Sequence, residues 1–88
     1  MRIAIVDDIH SERVLLHTRL EEQLTKRGVH ADLTEFENGE AFLKASRERP
    51  FTVLFLDIYM NGANGVEIAR ELRKSDPDCL LIFTTTST

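Results

Sequence analysis

The sequence lacks the features that mark disulfide-bonded, membrane-spanning and nucleic-acid-binding proteins. Its one cysteine, Cys79, excludes an internal disulfide and fits a reducing compartment such as the cytoplasm. It has no apolar run long enough to cross a membrane, and because it starts directly on a strand-like segment we expect no signal peptide. A net charge of -4 and the absence of a basic stripe argue against direct binding of nucleic acid. The remaining composition, 88 residues of which 42% are hydrophobic and 30% charged, predicts one small soluble domain.

The three histidines also lack the spacing that a zinc site requires, both among themselves and relative to the carboxylates. We expect His10 to lie in an exposed loop, although it follows Asp8 closely enough to reach the same cleft. We expect His17 at the surface or the boundary of the first helix.

Short apolar runs alternate with amphipathic stretches along the chain, which predicts four strands and three helices. We place Ser11 as the cap of the first helix and Gly28 as its end. The strands are placed at about 2–6, 30–36, 53–56 and 80–83, and the helices at about 11–27, directly after Asn38-Gly39, and at about 66–75. The second strand alternates apolar and polar residues and predicts a sheet edge. The order βαβαβαβ predicts a parallel sheet with helices on both faces.

Three acidic residues follow two of the buried strands, at the point where each strand ends. Asp7 and Asp8 come directly after the run Ile-Ala-Ile-Val, and Asp57 comes directly after Val-Leu-Phe-Leu. The carboxyl ends of parallel strands share one edge of a sheet, and α/β sheets bind their ligands at this edge. If the two strands are neighbours, the three carboxylates meet there.

Such a meeting is electrostatically unfavourable. Two unit charges about 5 Å apart repel by roughly 3 kcal/mol at an effective dielectric constant near 20. Three carboxylates would therefore bind a cation or retain a proton, and their hard oxygens suit Mg²⁺, which also binds phosphate oxygens. We predict a metal-assisted phosphoryl site. The alternative is that each acid is a turn former or a helix cap, but the equivalent placement of a doublet and a single acid favours the site.

Three segments carry a resemblance to a known family: Arg-Ile-Ala-Ile-Val-Asp-Asp at the start, Leu-Phe-Leu-Asp-Ile-Tyr-Met in the middle and Ile-Phe-Thr-Thr-Thr at the end. In their order and their places at strand ends they resemble the receiver domain of two-component response regulators. The resemblance covers the whole chain and implies a flavodoxin-like (CheY-like) doubly wound parallel sheet of strand order 2-1-3-4. The segment Asp-Pro-Asp-Cys-Leu-Leu-Ile-Phe is most similar to regulators with a LytTR-type DNA-binding output domain.

The resemblance implies a role for individual residues. Asp57 would be the phosphoacceptor, attacking the phosphoryl group of a histidine kinase or a small phosphodonor as a carboxylate nucleophile. A Mg²⁺ ion, which offsets the charge of the phosphoryl oxygens, would be held by Asp7, Asp8, Asp57 and the backbone carbonyl of Tyr59. Thr85, at the end of the fourth strand, would hydrogen-bond the phosphoryl group through its hydroxyl.

The resemblance also implies segments that the sequence does not contain. Family members continue through a fourth helix, a fifth strand that ends in a phosphoryl-contacting lysine, and a fifth helix. Lys26, Lys44 and Lys74 fall on predicted helices, so none of them matches that lysine. We therefore expect residues 1–88 to be an incomplete receiver, truncated after a fourth strand whose apolar residues are exposed. This exposure favours a homo-oligomer, formed through the fourth strand or by exchange of elements.

The expected function is that of a cytoplasmic phosphoacceptor signalling domain rather than an enzyme. It would receive phosphate from a histidine kinase and control an output domain outside this chain, through which alone it would act on DNA, with no membrane partner. A phosphohydrolase with an Asp nucleophile would need a second carboxylate two residues after Asp57, where this sequence has Tyr59. A further alternative is an interaction scaffold that dimerises without phosphorylation, which the absent lysine favours and the intact carboxylates oppose.

Overall fold

The structure of the chain is a computed structural model that describes residues 1–60 and 64–84. Strands and helices alternate along these residues in the order β1 (Arg2–Val6), α1 (His10–Lys26), β2 (Asp32–Phe36), α2 (Gly39–Glu48), β3 (Val53–Asp57), α3 (Gly65–Ser75) and β4 (Leu80–Thr84). The predicted alternation is thereby confirmed. None of the helices in this part of the chain combines the length and apolar character needed to cross a membrane.

The four strands form one parallel sheet of order β2-β1-β3-β4, which confirms the expected fold class. Val6, the last residue of β1, lies opposite Phe36 on one side and opposite Leu56 on the other. Asp57 at the end of β3 lies opposite Thr84 at the end of β4. The strands therefore end level with one another, and the residues that follow them start from a common edge. As predicted, β2 lies at the edge of the sheet.

The main hydrophobic core lies between one face of the sheet and helices α2 and α3. The central strands contribute Ala4, Val6, Leu54 and Leu56, all 1% exposed or less. Helices and flanking segments complete this core with Phe42, Leu43, Phe51, Ile68, Ala69, Leu72 and Cys79. Burial of these side chains supplies most of the favourable free energy of folding, at about 1.5–3 kcal/mol for each large one.

Helix α1 covers the opposite face, where it contacts β1 and β2. No residue of α1 is fully buried, and Leu16, Leu20 and Leu24, which share one side of the helix, are half-buried. Successive strand residues face opposite sides of a sheet, so Leu80 and Ile82 of β4 point away from Leu81, which packs on the α2 and α3 side. Leu80 is 58% exposed and Ile82 37% exposed. This face is therefore covered over β1 and β2 and open over β4.

The prediction that Ser11 caps α1 is wrong. The helix begins at His10, and its N-cap residue is Ile9, whose side chain makes no cap hydrogen bond. The Ile9 backbone N–H donates to Asp7 Oδ1 at 2.9 Å, and the Arg13 N–H donates to the Ile9 carbonyl at 3.0 Å. The carboxylate of Asp7 thus fixes the backbone that enters the helix, and no Ser hydroxyl is needed. His10 consequently lies in the first turn of the helix, exposed, and not in a loop.

The predicted end of α1 at Gly28 is confirmed. Gly28 has a φ of 67°, in the left-handed region that favours glycine. Its N–H donates to the Thr25 carbonyl at 3.1 Å, and the Val29 N–H donates to the Leu24 carbonyl at 2.9 Å. These two bonds form a Schellman motif, which satisfies carbonyls that the helix end would otherwise leave open.

Gly39 is required where α2 begins, because a β-carbon there would clash with Cδ1 and Cγ1 of Ile68 on α3. We expect Gly39→Ala to reduce the free energy of unfolding by about 1–3 kcal/mol through overpacking, with a decrease in Tm of about 4–8 °C for each kcal/mol. Thermal unfolding followed by circular dichroism measures the change. Because Ile68→Val removes Cδ1, Gly39→Ala should cost less in that background. Equal losses in both backgrounds would contradict the clash.

Candidate metal centre

The three predicted carboxylates meet at the edge where β1 and β3 end. Asp7 and Asp8 follow β1 directly, and Asp57 is the last residue of β3, its neighbour in the sheet. One carboxylate oxygen from each residue lies within 4.8 Å of the other two. Asp57 is 0% exposed and Asp7 is 5% exposed, whereas Asp8 is half-buried. The structure therefore brings together a buried pair and a third acid that is half-buried.

Backbone hydrogen bonds hold both buried acids in place. The Asp7 N–H donates to the Phe36 carbonyl at 3.1 Å, which extends the pairing of β1 with β2 by one residue. Oδ1 of Asp57 accepts the Tyr59 N–H at 3.2 Å. The Ile58 N–H donates to the Thr84 carbonyl at 3.1 Å, which ties the segment after Asp57 to β4. The carboxylates are thus positioned by the sheet itself and not by a flexible loop.

Gly65 lies against the backbone of Asp57. Its N–H donates to the Ile58 carbonyl at 2.9 Å. A β-carbon at position 65 would clash with the Asp57 carbonyl oxygen and would lie 2.9 Å from Cα of Ile58. Asn64 caps α3 at this point by accepting the Val66 N–H at 2.8 Å. Close approach to the backbone of the buried acid is therefore what requires glycine at position 65.

Burial and charge act in the same direction on the site. Burial raises the pKa of Asp7, the backbone hydrogen bond from Ile9 opposes this, and the nearby charges of Asp57, Asp8 and Glu12 raise the pKa further. Carboxylates this close repel one another by an energy on the order of 3 kcal/mol per pair. A bound cation would remove the repulsion. The donor set consists of hard carboxylate oxygens, which is the chemistry that Mg²⁺ requires.

Two further residues were predicted to act at this site. The backbone of Tyr59 lies beside Asp57 through the hydrogen bond described above, and its side chain is 71% exposed. A metal-binding role for the Tyr59 carbonyl stays a prediction. Thr85 lies outside the described residues, so its predicted hydroxyl contact is also untested. The lysines lie on helices as predicted: Lys26 on α1, Lys44 on α2 and Lys74 on α3.

Sequence reasoning missed Arg13. Its Nη1 donates to the Asp7 carbonyl at 2.7 Å, and its Nε donates to Oε1 of Glu35 on β2 at 3.0 Å. One signal was available in the sequence, because a cation near the N-terminus of a helix is unfavourable beside the positive end of the helix dipole. An arginine at that place indicates a compensating contact.

A comparison with family models identifies residues 3–88 as matching the response regulator receiver domain. The chain is 36% identical over 84 residues to the response regulator receiver protein CpdR of Brucella abortus, a match that covers 96% of this chain and 65% of CpdR. It is 45% identical over 51 residues to the sensory transduction protein LytT of Oceanobacillus iheyensis, covering 56% of this chain and 21% of LytT. The chain thus spans less than two thirds of the length of either relative.

Solved structures give the same result. The chain superposes with a TM-score of 0.83 and 34% identity on the response regulator TrrA of Thermotoga maritima, crystallised with Mg(2+)-BeF; the match covers 99% of this chain and 70% of TrrA. TrrA in complex with the histidine kinase ThkA matches with a TM-score of 0.82, 34% identity and the same coverage. By its sequence, its strand order and its acidic edge, the chain belongs to the response regulator receiver domain family.

Proposed function

We propose that this chain is a phosphoacceptor that receives a phosphoryl group on Asp57 from a histidine kinase. One observation carries the proposal. The Asp57 carboxylate is fully buried at the ligand-binding edge of a parallel sheet, within 4.8 Å of the carboxylates of Asp7 and Asp8. Three acids brought this close are unfavourable for stability alone, because their repulsion must be offset by packing elsewhere.

In the proposed reaction a carboxylate oxygen of Asp57 attacks the phosphorus atom of a phosphohistidine or a small acyl phosphate. The bond from phosphorus to the donor breaks, the donor leaves with the bonding electron pair, and an acyl phosphate forms on Asp57. The hydrogen bond from the Tyr59 N–H holds the Asp57 side chain at the sheet edge, and Gly65 packs closely against the Asp57 backbone. Positioning of the nucleophile is a large part of what phosphoryl transfer requires from a protein.

Asp7, Asp8 and Asp57 would hold the Mg²⁺ ion, with the Tyr59 backbone carbonyl as a further ligand. When bound, the ion supplies positive charge that offsets the charge of the phosphoryl oxygens. The proposal is supported by the likeness to TrrA, which was crystallised with Mg(2+)-BeF. The burial of Asp7 and Asp57 excludes water from the side of the site that faces the core.

The partners belong to the same proposal. A histidine kinase as phosphodonor is supported by the complex of TrrA with ThkA. We further propose a cytoplasmic location and control of an output domain that regulates transcription, with DNA contacted only through that domain. The extent of the receiver beyond residue 88, the fifth-strand lysine and a LytTR-type output all stay predictions.

The open face of β4 favours a second property, self-association. Strands of parallel sheets are usually covered on both faces, yet Leu80 is 58% and Ile82 37% exposed on the face shared with α1, and Phe83 is 42% exposed on the other. We propose that copies of this 88-residue chain associate through β4 or by exchange of elements. If Asp57 proved unreactive, a dimerising scaffold would be the remaining function.

Incubation with acetyl phosphate and Mg²⁺ should add a single phosphoryl group to the chain, detected by intact mass spectrometry. The adduct should require Mg²⁺ and should be absent from Asp57→Asn, which lacks the nucleophilic carboxylate. The matched control is Asp32→Asn, since Asp32 is exposed at the start of β2 and far from the site edge. An adduct that persists in Asp57→Asn would show that another residue is the acceptor.

Asp7→Asn should stabilise the metal-free protein and abolish its response to Mg²⁺. The amide keeps an oxygen for the Ile9 N–H but removes one of the clustered charges. We expect a gain on the order of 1 kcal/mol, which raises Tm by about 4–8 °C. Added Mg²⁺ should raise the Tm of the wild type and leave that of the variant unchanged. A variant less stable than the wild type without metal would refute the repulsion argument.

Light scattering of the 88-residue chain at micromolar concentration should report a dimer or a larger assembly. Leu80→Lys combined with Ile82→Lys should shift the chain toward the monomer, because it places charge on the exposed apolar face of β4. Val29→Lys is the control, since Val29 is 37% exposed at the far end of α1. A wild-type chain that stays monomeric and folded would contradict the association.

A further inference from the structure

A polar network joins the acidic edge to helix α1 and strand β2. At its centre is the guanidinium of Arg13, whose side chain is only 12% exposed. Nη1 donates to the Asp7 backbone carbonyl at 2.7 Å, Nε donates to Glu35 Oε1 at 3.0 Å, and Nη2 lies 3.1 Å from His10 Nδ1. One side chain thus connects the turn that carries the acids, the first turn of the helix and the edge strand.

The partner of Arg13 is itself held in place. Oε2 of Glu35 lies 2.7 Å from Nδ1 of His17, one helical turn beyond Arg13 on α1, and His17 Nε2 lies 3.2 Å from Glu21. Glu35 therefore has both carboxylate oxygens engaged, one by Arg13 and one by His17. Because Glu35 is held at two points, it restricts the rotamers that Arg13 can adopt. The guanidinium of Arg13 is planar and rigid, so loss of the Glu35 contact would change the direction of its hydrogen bond to Asp7.

The contact with Asp7 goes to the main chain and not to the carboxylate. With it, the backbone N–H, the backbone carbonyl and the side chain of Asp7 each have a partner, respectively Phe36, Arg13 and Ile9. Only one of these three partners is a side chain that a substitution can remove. Arg13 thus contacts the carbonyl of the peptide between Asp7 and Asp8, and the orientation of this peptide affects where both carboxylates point.

We propose that Arg13, oriented by Glu35 and His17, is a positioning residue for the Mg²⁺ site. It holds the Asp7–Asp8 peptide in the geometry that lets both carboxylates reach the same ion. This inference rests on the proposed function and adds to it a residue outside the acidic cluster. Residues that orient metal ligands from outside the ligand shell typically contribute about 10–100-fold to metal affinity.

The test compares Arg13→Gln, Glu35→Gln and the control Arg19→Gln in the 88-residue chain. Arg19 is an exposed arginine on the same helix, so its substitution removes the same charge away from the site. Mg²⁺ affinity is measured by titration calorimetry, and the Mg²⁺ concentration for half-maximal phosphorylation by acetyl phosphate is measured separately. A cooperative thermal unfolding transition, measured without Mg²⁺, shows that each variant is folded.

We expect Arg13→Gln to weaken Mg²⁺ binding at least tenfold, Glu35→Gln to weaken it less, and the double variant to lose less than the sum of the two in free energy. At saturating Mg²⁺ the variants should reach the wild-type extent of phosphorylation, which a general loss of structure would not allow. Should Arg13→Gln fail to fold, the single variants Glu35→Gln and Arg13→Lys are each compared with Arg19→Gln in the same two measurements.

Equal Mg²⁺ affinity in Arg13→Gln and Arg19→Gln would overturn the inference, as would a loss of maximal phosphorylation without a change in affinity. These outcomes leave the proposed function intact, because the wild type would still bind Mg²⁺ and accept phosphate. A wild-type chain that binds no Mg²⁺ would instead remove the proposed function, and the inference with it.

Discussion

Mutual repulsion of the carboxylates on Asp7, Asp8 and Asp57 is the constraint that the rest of this small domain must satisfy. The repulsion acts at the ends of β1 and β3, and the residues directly behind those ends are among the most buried in the molecule. Val6 and Leu56 lie opposite each other in the register, each 1% exposed or less. Packing of the central strands against α2 and α3 thus supplies the free energy that keeps like charges together.

The two faces of the sheet contribute unequally to the packing that stabilises the domain. Helices α2 and α3 enclose a core in which Phe42 packs against Phe36 edge to face, with ring centroids 5.8 Å apart. Helix α1 has no fully buried residue and is attached to the sheet in part by the polar network around Arg13. The face under α2 and α3 holds the larger apolar core, whereas the face under α1 combines the buried Ile3 and Ile5 with the polar contacts of Arg13.

Those parts of the fold that depend on local pattern could be predicted from the sequence. The apolar runs of β1 and β3 predict buried strands, and the shared edge of these strands predicts that Asp7, Asp8 and Asp57 lie together. The start of α1 could not be predicted, because a side chain from the preceding turn, Asp7, replaces the expected serine cap. Arg13 was missed because its partners lie on β2 and in the turn after β1, and only the tertiary structure brings them within reach.

The buried ends of β1 and β3 also determine when the site can exist during folding. Asp7 and Asp57 are separated by most of the chain, and the strands that carry them pair across an intervening helix, strand and second helix. Closing so long a loop carries a large entropic cost, and such non-local pairing is characteristic of slow steps in folding. An early intermediate with only β1, α1 and β2 has two of the acids and lacks the third. The cluster of three carboxylates is therefore absent from every nascent or partly folded state in which β3 has not joined the sheet.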